Sequence, residues 1–540
     1  MTGSRRLALA ATVLLVAVGA RGDELSGADK LRVVYSNQFA WTRDGLPLVT
    51  VLVMEHRPEV TISGAGLRLL PDGEGGAEVR GGSSWSVRVV DGKAGTLRWH
   101  VVSKSFAPWE TEALQAELAR WRAQGNKPRT FEVGALFAVK GEVLDSRRLL
   151  VAVDVFDSEA AARKRAGELG GSVHPELAER PRGTVEATDE RGSVVRNDAI
   201  LWFAPGPSGL IELRDVDKEG GGREPRRYFG RLYVTVDNAG QLAVVNAVPE
   251  DKLLAGLVPA EMSASSPPEA LKAQAVAARN ELLAKIGTRH LTDPYRLCAT
   301  QHCQVYAGAG REDARASAAV AATRGELLVR EAGGGLVDAV YSASCGGHGE
   351  DNEHVWGGLP DTSLRGHIDG DAALQARLPT FARIGETELR TWLAMGPSPE
   401  GPWCARPKEA QINYRWRKPI DVTALGARAG VGRLRDVEVL ERGVSGRATR
   451  LRLVGDGGDK ELRGELEIRR ALGNLKSAMF VIDLARDDGV HLSAANAVGG
   501  GHGHGVGMCQ VGAVGMAQAG HSYVEILRQY YAGARLRKLY

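Results

Sequence analysis

The 540-residue chain lacks most of the features that would place it at once in a large functional class. Its charge is nearly balanced, 69 Lys and Arg against 66 Asp and Glu, and a formal net charge of +3 gives no electrostatic case for a nucleic-acid partner. After one apolar run at the start, no stretch is long enough to cross a bilayer as a helix. There is no internal repeat and no low-complexity tract, which sets aside repeat arrays and disordered linkers. The glycine-rich stretch "GGGHGHGVG" (499–507) lacks the Lys-Ser/Thr ending of a phosphate loop and does not follow a clear strand in a βαβ unit. Cysteine is scarce, and the five present are an odd number, so they cannot all pair within the chain. What remains is ordinary globular composition, 43% hydrophobic and 25% charged. The length calls for roughly three units rather than one core.

The start, "MTGSRRLALAATVLLVAVGARGDE", has Arg5 and Arg6, an apolar run from Leu7 to Val18 and small residues ending at Ala20. This is the layout of a secretory signal peptide over 1–20, cleaved after Ala20. The run is short for a retained anchor, and no cysteine follows it to carry a lipid. The mature protein is therefore expected to be secreted or periplasmic, at the cell envelope, with no transmembrane segment after cleavage. Disulfides are permitted there.

Residues 30–105 read as a β-rich region: "PLVTVLVMEHRPEVTISGAGLRLLP", "SWSVRVV" and "TLRWHVV" alternate β-branched and polar residues between turn signals. Over 106–205 the pattern changes to helix ("APWETEALQAELARWRAQG"), two strands and a second helix from Ser158 to Gly170, an inserted α+β unit. A third unit runs from 209 to 540, with a β-rich subregion around 420–490 whose hairpin turns at Gly443–Gly446. Within it, Ser266 as N-cap, Pro267 and Glu269 predict a capping box opening a helix to about Ile286, with Gly287 beyond its end. Alanine is so frequent along its inner stripe of Leu271, Ala275, Ala278 and Leu282 that another backbone can approach closely, so this helix is expected to be buried. The fold class expected is α+β. A last helix is expected over Tyr523–Tyr531.

Five segments then follow one another in a recognisable order: "VPAEMSASSPPEALKAQAVAAR", "CQVYAGAG", "AVAATRGELLV", "SASCGGHGEDNEHVWGG" and "GHGVGMCQVGAVGMAQAGHSYVEILRQYY". From about Gly209 to its end the chain closely resembles the SpoIID/LytB family of cell-wall proteins. The resemblance implies a lytic transglycosylase that cuts peptidoglycan glycan strands stripped of their stem peptides, leaving 1,6-anhydro ends. It places the catalytic glutamate on Glu261, in "PAEM". A single carboxyl suits that chemistry, whereas ordinary glycosidases mostly need two. To begin protonated, Glu261 needs a raised pKa, and Leu254, Leu257, Val258, Pro259 and Met262 are apolar neighbours in sequence. No organic cofactor is required for proton transfer. The alternative within the same family is a non-catalytic, glycan-binding enhancer of a cell-wall amidase.

The resemblance also marks His348, Glu350, His504 and Gln510 as substrate-binding candidates. Two departures from the family pattern stand out: Gly349 where Thr is usual, and His502 where an aromatic is common. "RHLTDPYRLCATQHCQVY" puts His290, Cys298, His302 and Cys303 in one short segment, readable as a structural zinc site or as a Cys298–Cys303 disulfide with two ordinary histidines. Cys345 and Cys509 stand where many relatives have serine, and are expected to approach each other as a disulfide or as paired thiols, leaving Cys404 over. The inserted unit resembles a SPOR domain, a module that binds denuded glycan, through "FEVGALFAV" and "DSEAAARKRAGEL", and reads as well as a plain structural α+β insert.

Overall fold

The computed structural model describes Tyr35 and residues 40–42, 44–71, 77–139, 142–218, 221–300, 302–303, 306–331, 335–358, 360–377, 385–408 and 410–540. The expected signal peptide, 1–20, lies outside the described residues. The chain is α+β, with several separate sheets and helices between them.

Alternation of apolar residues builds the first core. Pro47–Arg57 turns Val49, Val51 and Met54 inward, and a register shift opposite Val244 and Val245 lets Leu52 be buried as well. This strand belongs to an eight-stranded sheet with Leu242–Pro249, Arg231–Val236 and Ile200–Ala204. A six-stranded sheet that includes Glu59–Ser63, Ser84–Lys93 and Arg182–Asp189 faces the same core through Ile62, Trp85, Val87 and Val185.

The inserted unit runs from 96 to 179 rather than over the expected 106–205. "TLRWHVV" pairs with Arg148–Phe156 and Ser172–Glu179, not with the sheets around it, while Arg182–Asp189, Val194–Asp198 and Ile200–Ala204 return to those sheets. Its order is strand Thr96–Phe106, helix α1 (Thr111–Ala123), strands Arg129–Val133 and Arg148–Phe156, helix α2 (Glu159–Leu169) and strand Ser172–Glu179. The sheet order is fourth-first-third-second, antiparallel throughout, a split βαβ arrangement. Both helices cover one face, where Leu114, Leu118, Trp121 and Ala162 meet Val101, Val151 and Val153. On other positions of the sheet Phe131 stacks between His100 and His174, at 4.6 Å from each ring.

Beyond the sandwich, helix α3 (Glu250–Glu261) packs on helix α4 (Pro268–Lys285), which also meets α5 (Ala314–Ala322). Thirteen of the eighteen residues of α4 are buried, as its alanine content predicts. Its start differs from expectation. The N-cap is Pro267, no capping box forms, and Glu269 instead accepts from the backbone N–H of Tyr523 at 2.8 Å and from Lys272 at 2.7 Å. With Pro267 and Pro268 already fixing the turn, the Glu269 carboxylate is left to tie α4 to the last helices. Those are α7 (Gln510–Gln518) and α8 (Tyr523–Tyr530), reached after a short helix α6 (Asn352–Trp356) and the β-rich region. The expected hairpin is present as Leu434–Arg442 and Ala448–Gly455, closed by Gly446 N–H to Gly443 O at 3.0 Å.

Two buried polar groups lock α4 in place. Arg279 meets Glu250 at 2.5 Å with neither side chain exposed. Asn280 donates to the carbonyls of Leu328 and Val337 at 2.7 and 3.1 Å and accepts from Leu328 N–H at 2.7 Å, so the whole amide is satisfied. Removing one partner of such an ion pair strands a buried charge. Arg279→Met is expected to cost about 3–5 kcal/mol in chemical denaturation, and adding Glu250→Leu is expected to recover most of it. A single substitution that left the midpoint unchanged would show that the pair does not hold the two helices.

Candidate active site

Glu261 is the last residue of α3, and extended Met262 terminates the helix directly after it. Leu254, Leu257, Val258 and Met262 form one apolar cluster with Leu271, Ala275 and Ala278 of α4, and Tyr341 packs against that cluster. Burial pushes the Glu261 carboxyl up to about 7; the like charge of Glu281 adds to the rise and Lys285 opposes it. Glu281 is itself engaged: Lys285 pairs with it, and the Tyr341 hydroxyl hydrogen-bonds it. The result is one carboxyl raised toward neutrality beside a second that is ion-paired with Lys285.

Gln510 opens α7 and reaches this point. Its Nε2 donates to the backbone carbonyl of Glu261 at 3.0 Å and to Gln274 Oε1 at 3.1 Å. The amide therefore fixes the backbone that carries Glu261. His504 lies in the glycine-rich segment. Its Nδ1 accepts from Val506 N–H at 3.1 Å, which assigns the ring proton to Nε2, and it hydrogen-bonds the backbone of Tyr341. Burial and the Arg447 charge hold its pKa down at about 3, so the imidazole is neutral. Against it lies Trp356, centroids 4.9 Å apart and 55% exposed, an aromatic face offered to solvent at the end of α6.

His348 and Glu350 turn inward instead of offering the expected sugar contacts. His348 is 2% exposed, its Nδ1 lies 2.6 Å from Gly349 O, and burial lowers its pKa to about 4. Glu350, 1% exposed, accepts from Val444 and Ser445 N–H, from the Ser445 hydroxyl at 2.6 Å and from His354 at 3.0 Å. It staples the Gly-Gly turn to the hairpin loop. Arg447 completes the staple by donating to the carbonyls of His348 and Cys345 at 3.2 and 3.1 Å. Gly505, at φ +80, is needed here: a Cβ would collide with that guanidinium. Gly503 and Gly507 likewise make room for Ser342 and for the Val340 carbonyl. His502 points to Asn413 Oδ1 at 3.2 Å.

Sequence reasoning passed over Gln274, Glu281, Tyr341 and Arg447. Polar residues on the buried stripe of an alanine-rich helix were the available signal for the first two; nothing local marked the others.

The four residues of the segment after α4 converge. His290 Nε2 is 3.2 Å from Cys303 Sγ, Cys298 Sγ is 3.5 Å from His302 Nδ1, and all four ligand atoms lie within 4.8 Å of one another. Asp293 holds His290 Nδ1 at 2.9 Å, which leaves Nε2 facing the sulfur. Both histidines touch the thiols, and the Cys298 and Cys303 sulfurs lie 2.9 Å apart, both free. Cys345 and Cys509 also meet, through Cys345 N–H and Cys509 Sγ at 3.1 Å, with both thiols free. Cys404 is not left over: its Sγ lies 3.6 Å from that of Cys345.

The electrostatics of Glu261 can be tested without substrate. Glu281→Gln removes the like charge and releases Lys285 to act on Glu261 alone. The pKa of Glu261, followed by carboxyl-carbon NMR, is expected to fall below about 7, while desolvation, the larger cause, still holds it above the ordinary carboxyl range. No change, or a rise, would contradict the arrangement described.

A family model described as stage II sporulation protein matches residues 238–329, and one described as a domain of unknown function matches 350–507. An uncharacterized protein of Brachyspira hyodysenteriae is 31% identical over 309 residues, 57% of this chain and 71% of the relative. The amidase enhancer of Bacillus subtilis is 28% identical over 61% of this chain, which spans only 49% of that protein. Stage II sporulation protein D of Bacillus amyloliquefaciens is 26% identical over 64% of this chain and 87% of its own length. The first match contains α3, α4 and Glu261, and the second contains Glu350, the Arg447 staple and His504. The chain belongs to the SpoIID/LytB family.

Proposed function

We propose that the protein is a lytic transglycosylase of the cell envelope, acting on the MurNAc–GlcNAc bond of peptidoglycan strands stripped of stem peptides. The observation that carries this reading is Glu261, a half-buried carboxyl raised to about 7 by the apolar surround, with the nearby carboxylate of Glu281 already paired. Glu261 gives its proton to the bridging oxygen as the bond to the anomeric carbon breaks. As a carboxylate it then takes the proton of the MurNAc 6-hydroxyl, whose oxygen bonds to the anomeric carbon. The products are a 1,6-anhydro end and a free 4-hydroxyl, and Glu261 is protonated again. No water is consumed. Trp356 offers an aromatic face on which a sugar ring can stack.

Two further assignments support a strand-holding machine. His290, Cys298, His302 and Cys303 are the donor set of a tetrahedral structural zinc, which would spread the two sulfurs from 2.9 Å to about 3.7 Å and supply a closed, rigid cross-link with no catalytic position. Through Cys303 O, held by Lys285 Nζ at 2.7 Å, that cross-link would steady the Lys285–Glu281 pair beside the acid. The split βαβ unit over 96–179 would hold denuded glycan, as a SPOR-like module.

A second reading is favoured by one relative's name, amidase enhancer: a strand-binding partner of a cell-wall amidase that cuts nothing itself. Mass spectrometry of glycan strands, with and without stem peptides, separates the two. Anhydro-ended fragments are expected from wild type and denuded strands, and at least about 100-fold fewer from Glu261→Gln, the scale of a lost general acid. Because the acid must be protonated, kcat/KM is expected to be flat below about pH 7 and to fall above it. Strand binding with no fragments from either protein would overturn the enzyme reading and leave the enhancer.

A further inference from the structure

The glycan chemistry leaves one buried cluster unused. Cys345 follows the strand Tyr341–Ser342, Cys509 ends its parallel partner Met508–Cys509, Cys404 sits in the short turn Trp403–Ala405, and Asp369 lies in the loop that reaches it. All four are 2% exposed or less, and one ligand atom from each lies within 4.8 Å of every other. We propose that Cys345, Asp369, Cys404 and Cys509 form a second metal site, a closed S3O centre for a structural zinc ion.

The spacing supports a metal at the centre. Cys345 Sγ is 3.6 Å from Cys404 Sγ and 3.4 Å from Asp369 Oδ2. A tetrahedron with ordinary zinc–sulfur and zinc–oxygen bonds has edges of about 3.7 Å between sulfurs and about 3.5 Å between sulfur and oxygen. Three thiols cannot pair off among themselves. One disulfide would leave an odd thiol and a carboxylate buried together, a costly arrangement without a cation. Arg415, whose charge reaches Cys404 and Cys345, gives the N–H groups of Nη1 and Nη2 to the carbonyls of Gly346, Tyr414 and Trp392.

The surroundings are also built for ligand atoms. Cys509 caps α7, its sulfur accepting from Gly512 N–H at 3.3 Å and from Cys345 N–H at 3.1 Å, at the helix end that favours negative charge. Asp369 accepts from Cys404 N–H at 2.9 Å and from the Tyr530 hydroxyl at 2.7 Å. Such outer contacts orient metal ligands. Gly512 is required by the same packing, because a Cβ would strike the Tyr530 hydroxyl and crowd Asp369. Soft thiolates with one carboxylate in tetrahedral disposition select zinc over magnesium or calcium. The ion would fix the start of α7, where Gln510 reaches the backbone of Glu261.

The test counts metal in the full chain. Cys298→Ser/Cys303→Ser removes the first cluster's thiols, and this variant is expected to retain one zinc per chain by elemental analysis. Replacing the zinc with cobalt is expected to give thiolate-to-metal charge-transfer and tetrahedral ligand-field absorption, both lost when Cys404→Ser is added. If the Cys404 variant fails to fold, alkylation of the wild type decides. Denaturation without reductant is expected to expose Cys345, Cys404 and Cys509 as free thiols that resist alkylation in the native protein until a chelator is added. Absence of zinc and cobalt from the double variant, or a mass two hydrogens short with two of these cysteines joined, would overturn the site.

Discussion

The buried pair of Glu250 and Arg279 is the constraint on which the rest of the region around Glu261 depends. Glu250 begins α3 and Glu261 ends it, so an ion pair at one end sets where the carboxyl at the other end emerges. Arg279 also donates toward the carbonyls of Val320 and Glu326, and Asn280 beside it holds Leu328 by both its N–H and its C=O. Three segments, α3, α5 and the strand Glu326–Arg330, are thereby tied to α4. In a helix so rich in alanine, close approach brings dense packing but little specificity. The polar pair and the amide supply the register.

That rigidity is what the proposed single-carboxyl mechanism requires. Glu261 is raised by desolvation, which needs the apolar cluster to stay closed around it, and Gln510 pins its carbonyl from the far end of the chain. Tyr341 joins the two halves of the site, its ring against the cluster and Glu281, its backbone bonded to His504. Glu350 and Arg447 act one layer further out, holding the Gly-Gly turn and the glycine-rich segment to the hairpin loop.

Much of this was legible in the residues themselves. The buried α4, the hairpin at Gly443–Gly446, the last helix and the apolar surround of Glu261 follow from periodicity, turn residues and neighbours in sequence. What stayed hidden is long-range. Glu269 reads as a capping-box residue until Tyr523, 254 positions away, claims its carboxylate. His348 and Glu350 look like exposed loop groups because the hairpin that encloses them lies about a hundred residues on. Cys404 looks solitary for the same reason. The limits of the inserted unit were missed because "TLRWHVV" alternates equally well for either sheet.

A crystal structure of the Glu261→Gln protein with a bound MurNAc–GlcNAc strand tests the central claim most directly. The account predicts the substituted amide within hydrogen-bond reach, about 2.6–3.2 Å, of the bridging oxygen. It also predicts the MurNAc 6-hydroxyl on the same side, and no carboxylate with a water on the opposite face of the ring. A second carboxyl about 5–9.5 Å away across the anomeric carbon, or a strand bound away from position 261, would contradict a single-acid transglycosylase.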